Sequence, residues 1–346
     1  NIETYYKKEN KKNILISTPF EFLEKLKRKL IKKYNCYFDK NLPINKIPIK
    51  LKHKIICVDN QWFGNFLPKH PNLKNLKMDM RNIDQLTLNG VDTIIHLASI
   101  ANDPMAELDK NLSWETSALS TFKLMNQAVK YKVRRILYAS SGSVYGIKRE
   151  LKVHENLKLE PISLYNKVKM ITERIILSYG DSIEKFIIRP ATVCGYSPRM
   201  RYDVTVNALS FSAIKNKVIT VFGGKQVRPN IHIDDMVDLY IYLIKAKKKH
   251  QGIYNAGFEN ESIINIAKEV KKNINSKIII NSSSNDPRSY RLDSTKLLKI
   301  GFKNRKSYKD AIIELKYRNF SKELKDNPKF HSVKWLKKLA KLNKIN

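Results

Sequence analysis

Four short apolar runs, at residues 55–58, 94–97, 135–139 and 185–188, alternate along this chain with helix-length stretches. Runs of this kind are buried on both faces of a sheet, and helical crossovers between them set neighbouring strands parallel. The pattern therefore predicts a parallel α/β sheet. Ser113 to Tyr131 and Pro161 to Ser178 read as helices, the second opening on proline and stopping at Gly180. The 346 residues suffice for one large or two modest domains with a sizeable core. Beyond about residue 195 the sequence predicts a smaller, loop-rich α+β part with segments returning to the sheet. No internal repeat or long linker is evident.

Chemistry concentrates in two segments. Of the 17 tyrosines only Tyr165, in Ser163-Leu-Tyr-Asn-Lys-Val-Lys169, has a lysine four residues later. On a helix that spacing puts Lys169 on the same face, where its ammonium favours the phenolate of a group that otherwise titrates near ~10. Upstream, Ser140-Ser-Gly-Ser-Val-Tyr-Gly146 follows the strand-like run ending at Ala139, which sets Ser141 at the carboxyl end of a strand. Ser141, Tyr165 and Lys169 make an acid–base set suited to taking a proton from a hydroxyl while hydride leaves its carbon. The same spacing also fits an exposed helical Tyr/Lys pair beside a serine-rich turn.

Other segments stand in a telling order: Ile55-Ile-Cys-Val-Asp-Asn60, Met78-Asp-Met80, Ile94-Ile-His-Leu-Ala-Ser99, Ile188-Arg-Pro-Ala-Thr-Val-Cys-Gly195, Phe222-Gly-Gly-Lys-Gln-Val-Arg-Pro-Asn-Ile-His-Ile-Asp-Asp235 and Ile253-Tyr-Asn-Ala-Gly257. With the serine and tyrosine segments they resemble the extended short-chain dehydrogenase/reductase family, in its NAD-dependent nucleotide-sugar epimerase/dehydratase branch. The resemblance runs from about Leu51 to about residue 318. It implies a Rossmann-like doubly wound parallel sheet, with an NAD-binding domain over residues 1–195 and a substrate-binding part over 196–346.

By the same resemblance Ser141, Tyr165 and Lys169 are catalytic. NAD contacts fall to Asp59, Asn60, Asp79, Met80, Leu97, Ala98, Ser99 and Pro190, besides Tyr165 and Lys169. Asp59 would hold the adenosine ribose, and its carboxylate repels a 2′-phosphate, which favours NAD over NADP. Asp79 and Met80 would flank the adenine, and Ala98 and Ser99 the pyrophosphate. Nucleotide-sugar contacts fall to Ser141, Asn207, Arg228 and Asp286, a guanidinium suiting paired phosphate oxygens. On the residues alone Asp59 also reads as a strand cap, and Arg228, beside Pro229, as a surface turn residue. At Ser117 the family usually has an asparagine that braces the active-site loop. The resemblance further implies a homodimer packed through the two long helices.

Gly142 and Ser143 follow Ser141 where the 4,6-dehydratases and decarboxylating relatives carry acidic residues. The expectation is therefore 4-epimerisation of a nucleotide sugar through a transient 4-keto sugar. Keto-sugar reduction, or a non-catalytic member that binds the nucleotide sugar, are the alternatives.

The amino end departs from the family pattern. The chain has no glycine before Gly64, whereas the family cradles the cofactor pyrophosphate on a glycine-rich turn and helix N-terminus. Counting back about 20 residues from Asp59 lands near Tyr37 to Asn41, where side chains would fill the phosphate space. Another candidate first strand, Asn13-Ile-Leu-Ile-Ser17, leads into Thr18-Pro-Phe-Glu21, a capping-box form, and a helix from Phe20 to Lys33. Ser17 to Asp59 reads as too long for one compact unit, so residues 1 to about 50 are expected to be replaced, scrambled or shifted. A reading-frame disturbance, divergence to a cofactor-free protein and a compensated site are the three explanations. The start at Asn1 rather than Met suggests a fragment or a processed start.

The formal charge of +34 admits nucleic acid as a partner, but lysine is spread through the chain and no nucleic-acid-binding motif appears, so none is expected. The basic tail from Lys322 to Lys344 reads as a solvated helical face with Trp335 and Leu339 turned inward. Cys36, Cys57 and Cys194 are scattered and lack metal-ligand spacing, which points to a reducing cytoplasm. His96 and His232 read as structural, no metal is expected, and no stretch is long enough to span a membrane.

Overall fold

A computed structural model describes residues 13–17, 53–282 and 289–342. Its strands in chain order are β1 (Asn13–Ser17), β2 (Lys54–Asp59), β3 (Leu73–Lys77), β4 (Val91–His96), β5 (Arg135–Ala139), β6 (Glu184–Pro190), β7 (Thr192–Cys194), β8 (Val218–Phe222), β9 (Val227–His232), β10 (Gly252–Ala256), β11 (Glu259–Ser262) and β12 (Lys277–Asn281). Seven of them form one sheet in the order β10-β6-β5-β4-β1-β2-β3, every neighbouring pair parallel. The chain winds outward from β1 to β3, then restarts at β4 on the other side. This is a doubly wound sheet whose order reverses between β1 and β4.

The four apolar runs are β2, β4, β5 and β6. Successive side chains alternate between two cores, as the pleat requires. In β5, Ile136 and Tyr138 pack with Leu124, Met125 and Ile176 of the helices Ser120–Lys130 and Leu164–Ser178, whereas Leu137 joins Met236, Leu239 and Tyr240 of the helix Ile233–Lys245. Both faces of the sheet are covered. An alternation of apolar and polar residues would have left one face wet.

The placement of β1 corrects one expectation. Asn13–Ser17 pairs with β2 on one side and β4 on the other, at the centre of the sheet, so it is the first strand and the long connection to β2 is accommodated. Ile14 and Leu15 are buried, one in each core. The first strand is therefore not displaced toward Tyr37 to Asn41. Those residues, the expected Phe20 to Lys33 helix, Cys36 and Asp286 lie outside the described residues.

Two helix starts also differ from expectation. The second long helix begins at Leu164 rather than Pro161, because the Ser163 hydroxyl accepts from Asn166 N–H at 3.2 Å and so caps it. The first begins at Lys110, capped by Asp109 onto Leu112 N–H at 2.9 Å. It then passes through a π-helical turn, Glu115–Leu119, before continuing as Ser120–Lys130.

After β6 the chain builds a three-stranded sheet, β11-β9-β7, and a pair, β12-β8, around a separate core of Val206, Ile219, Ile266 and Ile312, while β10 returns to the main sheet. The tail is not one helix. A 3-10 turn, Pro328–Phe330, precedes the helix Ser332–Lys341, whose Leu336 and Leu339 are buried and whose Trp335 donates its Nε1–H to Trp62 O at 2.7 Å.

One buried arginine binds the sheet to the helix Ile233–Lys245. Arg135, 2% exposed, bonds Glu184 Oε2 at 2.5 Å and donates to the carbonyls of Leu243, Ile244 and Ala246 at 2.5, 2.8 and 2.7 Å. Those carbonyls stand at the end of helix Ile233–Lys245, where backbone donors run out, and a cation there also complements the helix dipole. Arg135→Leu is expected to lower the unfolding free energy by about 3 kcal/mol, measured by urea denaturation, since it strips the donors from a buried network.

Candidate active site

The loop after β5 and the face of helix Leu164–Ser178 bring the three catalytic candidates together. Ser141 caps a 3-10 turn, Gly142–Tyr145, and its hydroxyl interacts with the Tyr165 phenol. Lys169, 3% exposed, lies with its Nζ 5.9 Å from the Tyr165 ring centroid and donates to Ala139 O at 2.7 Å. The i, i+4 spacing thus delivers the expected pair on one helix face.

Its electrostatics run against expectation. Burial pushes the Tyr165 phenol up to about 12, opposed by its interaction with Ser141. Burial also drives Lys169 down to about 7, with Glu173 pulling the other way. Desolvation disfavours both charged forms, so the lysine that was expected to stabilise the phenolate is itself discharged toward neutrality. In this state Tyr165 is a protonated phenol.

Behind the pair lies a buried network that sequence reasoning missed. Glu173 and Arg189, 1% and 3% exposed, form an ion pair at 2.7 Å between the long helix and β6. Ser140 donates to the same carboxylate, Arg189 reaches Tyr145 Oη at 2.8 Å, and Tyr145 donates to Asn255 Oδ1 of β10 at 2.8 Å. The signal was present: Glu173 stands four residues beyond Lys169 on the same face, and Arg189, Tyr145 and Asn255 all sit inside the quoted motifs.

A crevice opens at the carboxyl ends of β2 and β4, beside the point where strand order reverses. Asp59, Asn60, Met80, Ala98 and Ser99 line it, five of the expected cofactor residues. Leu97 turns into the core instead, Asp79 caps Arg81 N–H at 2.8 Å and pairs with its guanidinium, and Pro190 ends β6 with its carbonyl toward Gly142. Asp59 does cap its strand end, accepting from Gln61 N–H at 2.5 Å.

Residues the sequence reading did not single out complete the wall. They include Trp62, Phe63, Arg199, Ser332 and Thr116, whose buried hydroxyl has no hydrogen-bond partner among the described residues. Thr116 sits on the π-helical turn, and its neighbour Ser117, in place of the usual asparagine, meets Ser99 Oγ at 3.0 Å and so still reaches the loop after β4. A buried hydroxyl without a partner, opposite a carboxylate and small residues, fits the polar groups of a dinucleotide such as NAD. Tyr165 adjoins this crevice through Ile100 and Met105.

The substrate candidates lie apart. Asn207 brackets Gly195, accepting its N–H at 2.9 Å, where a φ of +110° and a Cβ 3.0 Å from His232 Nε2 leave room only for glycine. Arg228 is buried in β9 opposite Glu261 of β11, which overturns its reading as a surface turn residue. Neither lines the crevice beside Asp59. His96 is buried, meets Thr121 Oγ1 at 2.8 Å and is pushed down to about 3 by burial, a structural histidine. Among the described residues no cluster has the ligands for a metal ion.

The NAD dependent epimerase/dehydratase family matches residues 48–257, more than half of the chain. A putative UDP-glucose 4-epimerase of Methanocaldococcus jannaschii is 26% identical over 225 residues, covering 63% of this chain and 73% of the relative. An uncharacterized UDP-glucose epimerase of Bacillus subtilis is 32% identical over 202 residues, 54% of this chain and 63% of the relative. The fold matches a UDP-glucose 4-epimerase of Thermus thermophilus solved with NAD at a TM-score of 0.74, with 18% identity, 90% of this chain and 100% of that one.

The depressed lysine gives a test free of any ligand. Between about 7 and its ordinary 10.5 the unfolded chain holds the Lys169 proton and the folded chain does not, so this group's contribution to stability rises with pH across that window. Lys169→Met is expected to remove part of the rise in unfolding free energy across it, read from urea titrations at several pH values. Identical slopes in the two proteins would mean that Lys169 stays charged when folded.

Proposed function

This chain belongs to the NAD dependent epimerase/dehydratase family, and from that premise we propose that it inverts C4 of a UDP-sugar by way of a 4-keto sugar. The observation that carries this reading is the convergence of Ser141, Tyr165 and Lys169 with Gly142 and Ser143, neither of them acidic, directly after the serine. The UDP-sugar epimerase names of the sequence relatives support the substrate class.

NAD, when bound, supplies a reversible hydride acceptor. Asp59, Ala98, Ser99 and Thr116 are the residues suited to hold it: a carboxylate for a ribose diol, small residues for close approach of phosphate, and a hydroxyl awaiting a partner. Tyr165 exchanges a proton with the sugar 4-hydroxyl, and Ser141 holds the same oxygen. Lys169, anchored on Ala139 O, holds the phenol's side of the helix in place and sets the local charge. The keto sugar then presents its other face before the proton and hydride return, with no net redox change. Asn207 and Arg228 are assigned to the nucleotide diphosphate, and Asp286 to the nucleotide ribose, in the part beyond residue 195.

We assign the working unit as a homodimer and its compartment as the cytoplasm. Leu119, Phe122 and Val129 are exposed along one face of the first long helical stretch, and Ile171 and Leu177 along the second. Apolar stripes on neighbouring helices are what a two-fold helical interface would cover. Cys57 and Cys194 are buried, in keeping with a reducing compartment. No helix among the described residues is long and apolar enough to cross a membrane.

Two measurements test these assignments. Tyr165→Phe is expected to cut interconversion of UDP-glucose and UDP-galactose by about 10²–10⁴-fold while UDP-sugar binding, read by calorimetry, holds. Full activity in that variant would sink the mechanism. Native mass spectrometry should show one NAD per chain, and Phe122→Asp should shift the assembled species to a monomer.

A further inference from the structure

The Ser141 hydroxyl does not stand alone. It lies 2.7 Å from Ser143 Oγ and also accepts Ser143 N–H at 3.2 Å, and Ser143 Oγ donates to Asn166 Oδ1 at 2.5 Å. Ser143 is 7% exposed and Asn166 is fully buried, with its Nδ2 lacking any partner. On the far side, the Ser141 hydroxyl bears on the Tyr165 phenol. A hydrogen-bonded line therefore runs from Ser141, the hydroxyl next to Tyr165, through Ser143 to a buried amide.

A hydroxyl has one proton and two lone pairs. At Ser141 the Ser143 N–H takes one lone pair, which leaves one donor and one acceptor position, one for Ser143 Oγ and one for the phenol it bears on. With Ser143 donating to Asn166 Oδ1, Ser143 must accept from Ser141, and Ser141 must then accept from Tyr165. That is the direction a protonated phenol needs. A phenolate needs the reverse: Ser141 donating to Tyr165, Ser143 donating to Ser141, and something donating to Ser143. A carboxylate at the end of the line has no proton to give, whereas an amide has both an acceptor and a donor edge. The unpartnered Nδ2 of Asn166 is that donor edge, available to Ser143 after a half-turn of the amide.

We propose that Asn166 and Ser143 are positioning residues that reverse the hydroxyl line in step with the proton on Tyr165, so that Ser141 accepts from the phenol and donates to the phenolate. The inference deepens the epimerase reading and rests on it for its catalytic meaning. An epimerase uses Tyr165 as base and as acid within one turnover, which a line fixed in one direction serves only half the time. The charged and titratable groups facing Tyr165 are Lys169 on its own helix, Asp103 at the start of the short helix Asp103–Ala106, Arg201 from a neighbouring loop, Tyr290 from the segment after β12, and Tyr138 of β5. None of them touches Ser143 or Asn166 by a described hydrogen bond.

The test is a double-mutant cycle read on the tyrosine itself. 3,5-Difluorotyrosine, more acidic than tyrosine, is placed at position 165 of the full chain, and its ionisation is followed by fluorine NMR in four backgrounds: unsubstituted, Asn166→Asp, Ser143→Ala and both. A carboxylate that can only accept is expected to lower the acid constant of residue 165 about tenfold, and Ser143→Ala, which cuts the line but keeps the charge, to erase most of that effect. Equal shifts with and without Ser143 would show a through-space charge effect and overturn the proposal. Should Asn166→Asp not fold, Asn166→Leu takes its place. Freed of its acceptor, Ser143 donates toward Ser141 and the acid constant rises, again only when Ser143 is present; a fall from added apolar bulk would overturn the proposal. Because none of these readings needs turnover, inactivity of the unsubstituted protein on UDP-sugars would count against the epimerase reading alone.

Discussion

The arrangement of the site depends on one buried ion pair. Glu173 of the long helix and Arg189 of β6 are almost wholly excluded from water and bind at 2.7 Å. Charges so placed persist only when every lone pair and proton finds a partner, because removing either from water costs several kcal/mol. Here Ser140 binds the carboxylate, and Tyr145 and the Glu155 carbonyl accept from the guanidinium. Each partner comes from a different place: the end of β5, the turn after it, the loop beyond and the long helix. Satisfying the pair therefore fixes the helix that carries Tyr165 against the loop that carries Ser141. A purely apolar contact would hold the two together without setting their register.

The same burial explains the electrostatics. Lys169 lies one turn before Glu173, in surroundings that favour neutral groups, and its remaining support is the Ala139 carbonyl. Tyr165 feels the same surroundings and keeps its proton. A helix face built to carry a fully charged lysine would have needed water or a second carboxylate within reach, but the one carboxylate nearby is committed to Arg189. The chain thus holds its acid–base pair in a low-charge resting state. Any change in local charge will move both groups strongly, since little solvent is present to screen it.

Much of this was legible in the sequence, for reasons that can be named. Unbroken apolar runs report strands buried on both faces, so β2, β4, β5 and β6 were found; β3, Leu-Lys-Asn-Leu-Lys, is a half-exposed edge strand that no apolar run marks. β1 reads as a strand, but usual connection lengths set it apart from β2, whereas its own buried Ile14 and Leu15 belong at the centre of the sheet. The Tyr165/Lys169 pair was visible because a helix converts four residues into one face. The charge state of that pair was not, because desolvation is a property of the packed site and spacing carries no trace of it. Helix starts slipped by three residues where Ser163 and Asp109, not Pro161 and Ser113, supplied the capping oxygen. A side chain's role as a cap depends on which way the backbone turns before it.

What composition suggested least is how the chain's end reaches the site. Lysine-rich sequence reads as a solvated surface, yet the helix Ser332–Lys341 buries Leu336 and Leu339 against Ile100, Met105 and Leu112, beside Tyr165. Its first residue, Ser332, accepts from Arg199 at 2.8 Å, and Arg199 in turn stacks on Phe63 with its guanidinium 4.3 Å from the ring centroid. Trp335 closes the circuit onto Trp62. Segments around residues 62, 100, 199 and 332 thus share one wall of the crevice. None is adjacent to another in sequence, so the wall is set by tertiary packing alone. The lysines that make the segment look solvated are the outer face of a helix whose inner face is part of the site.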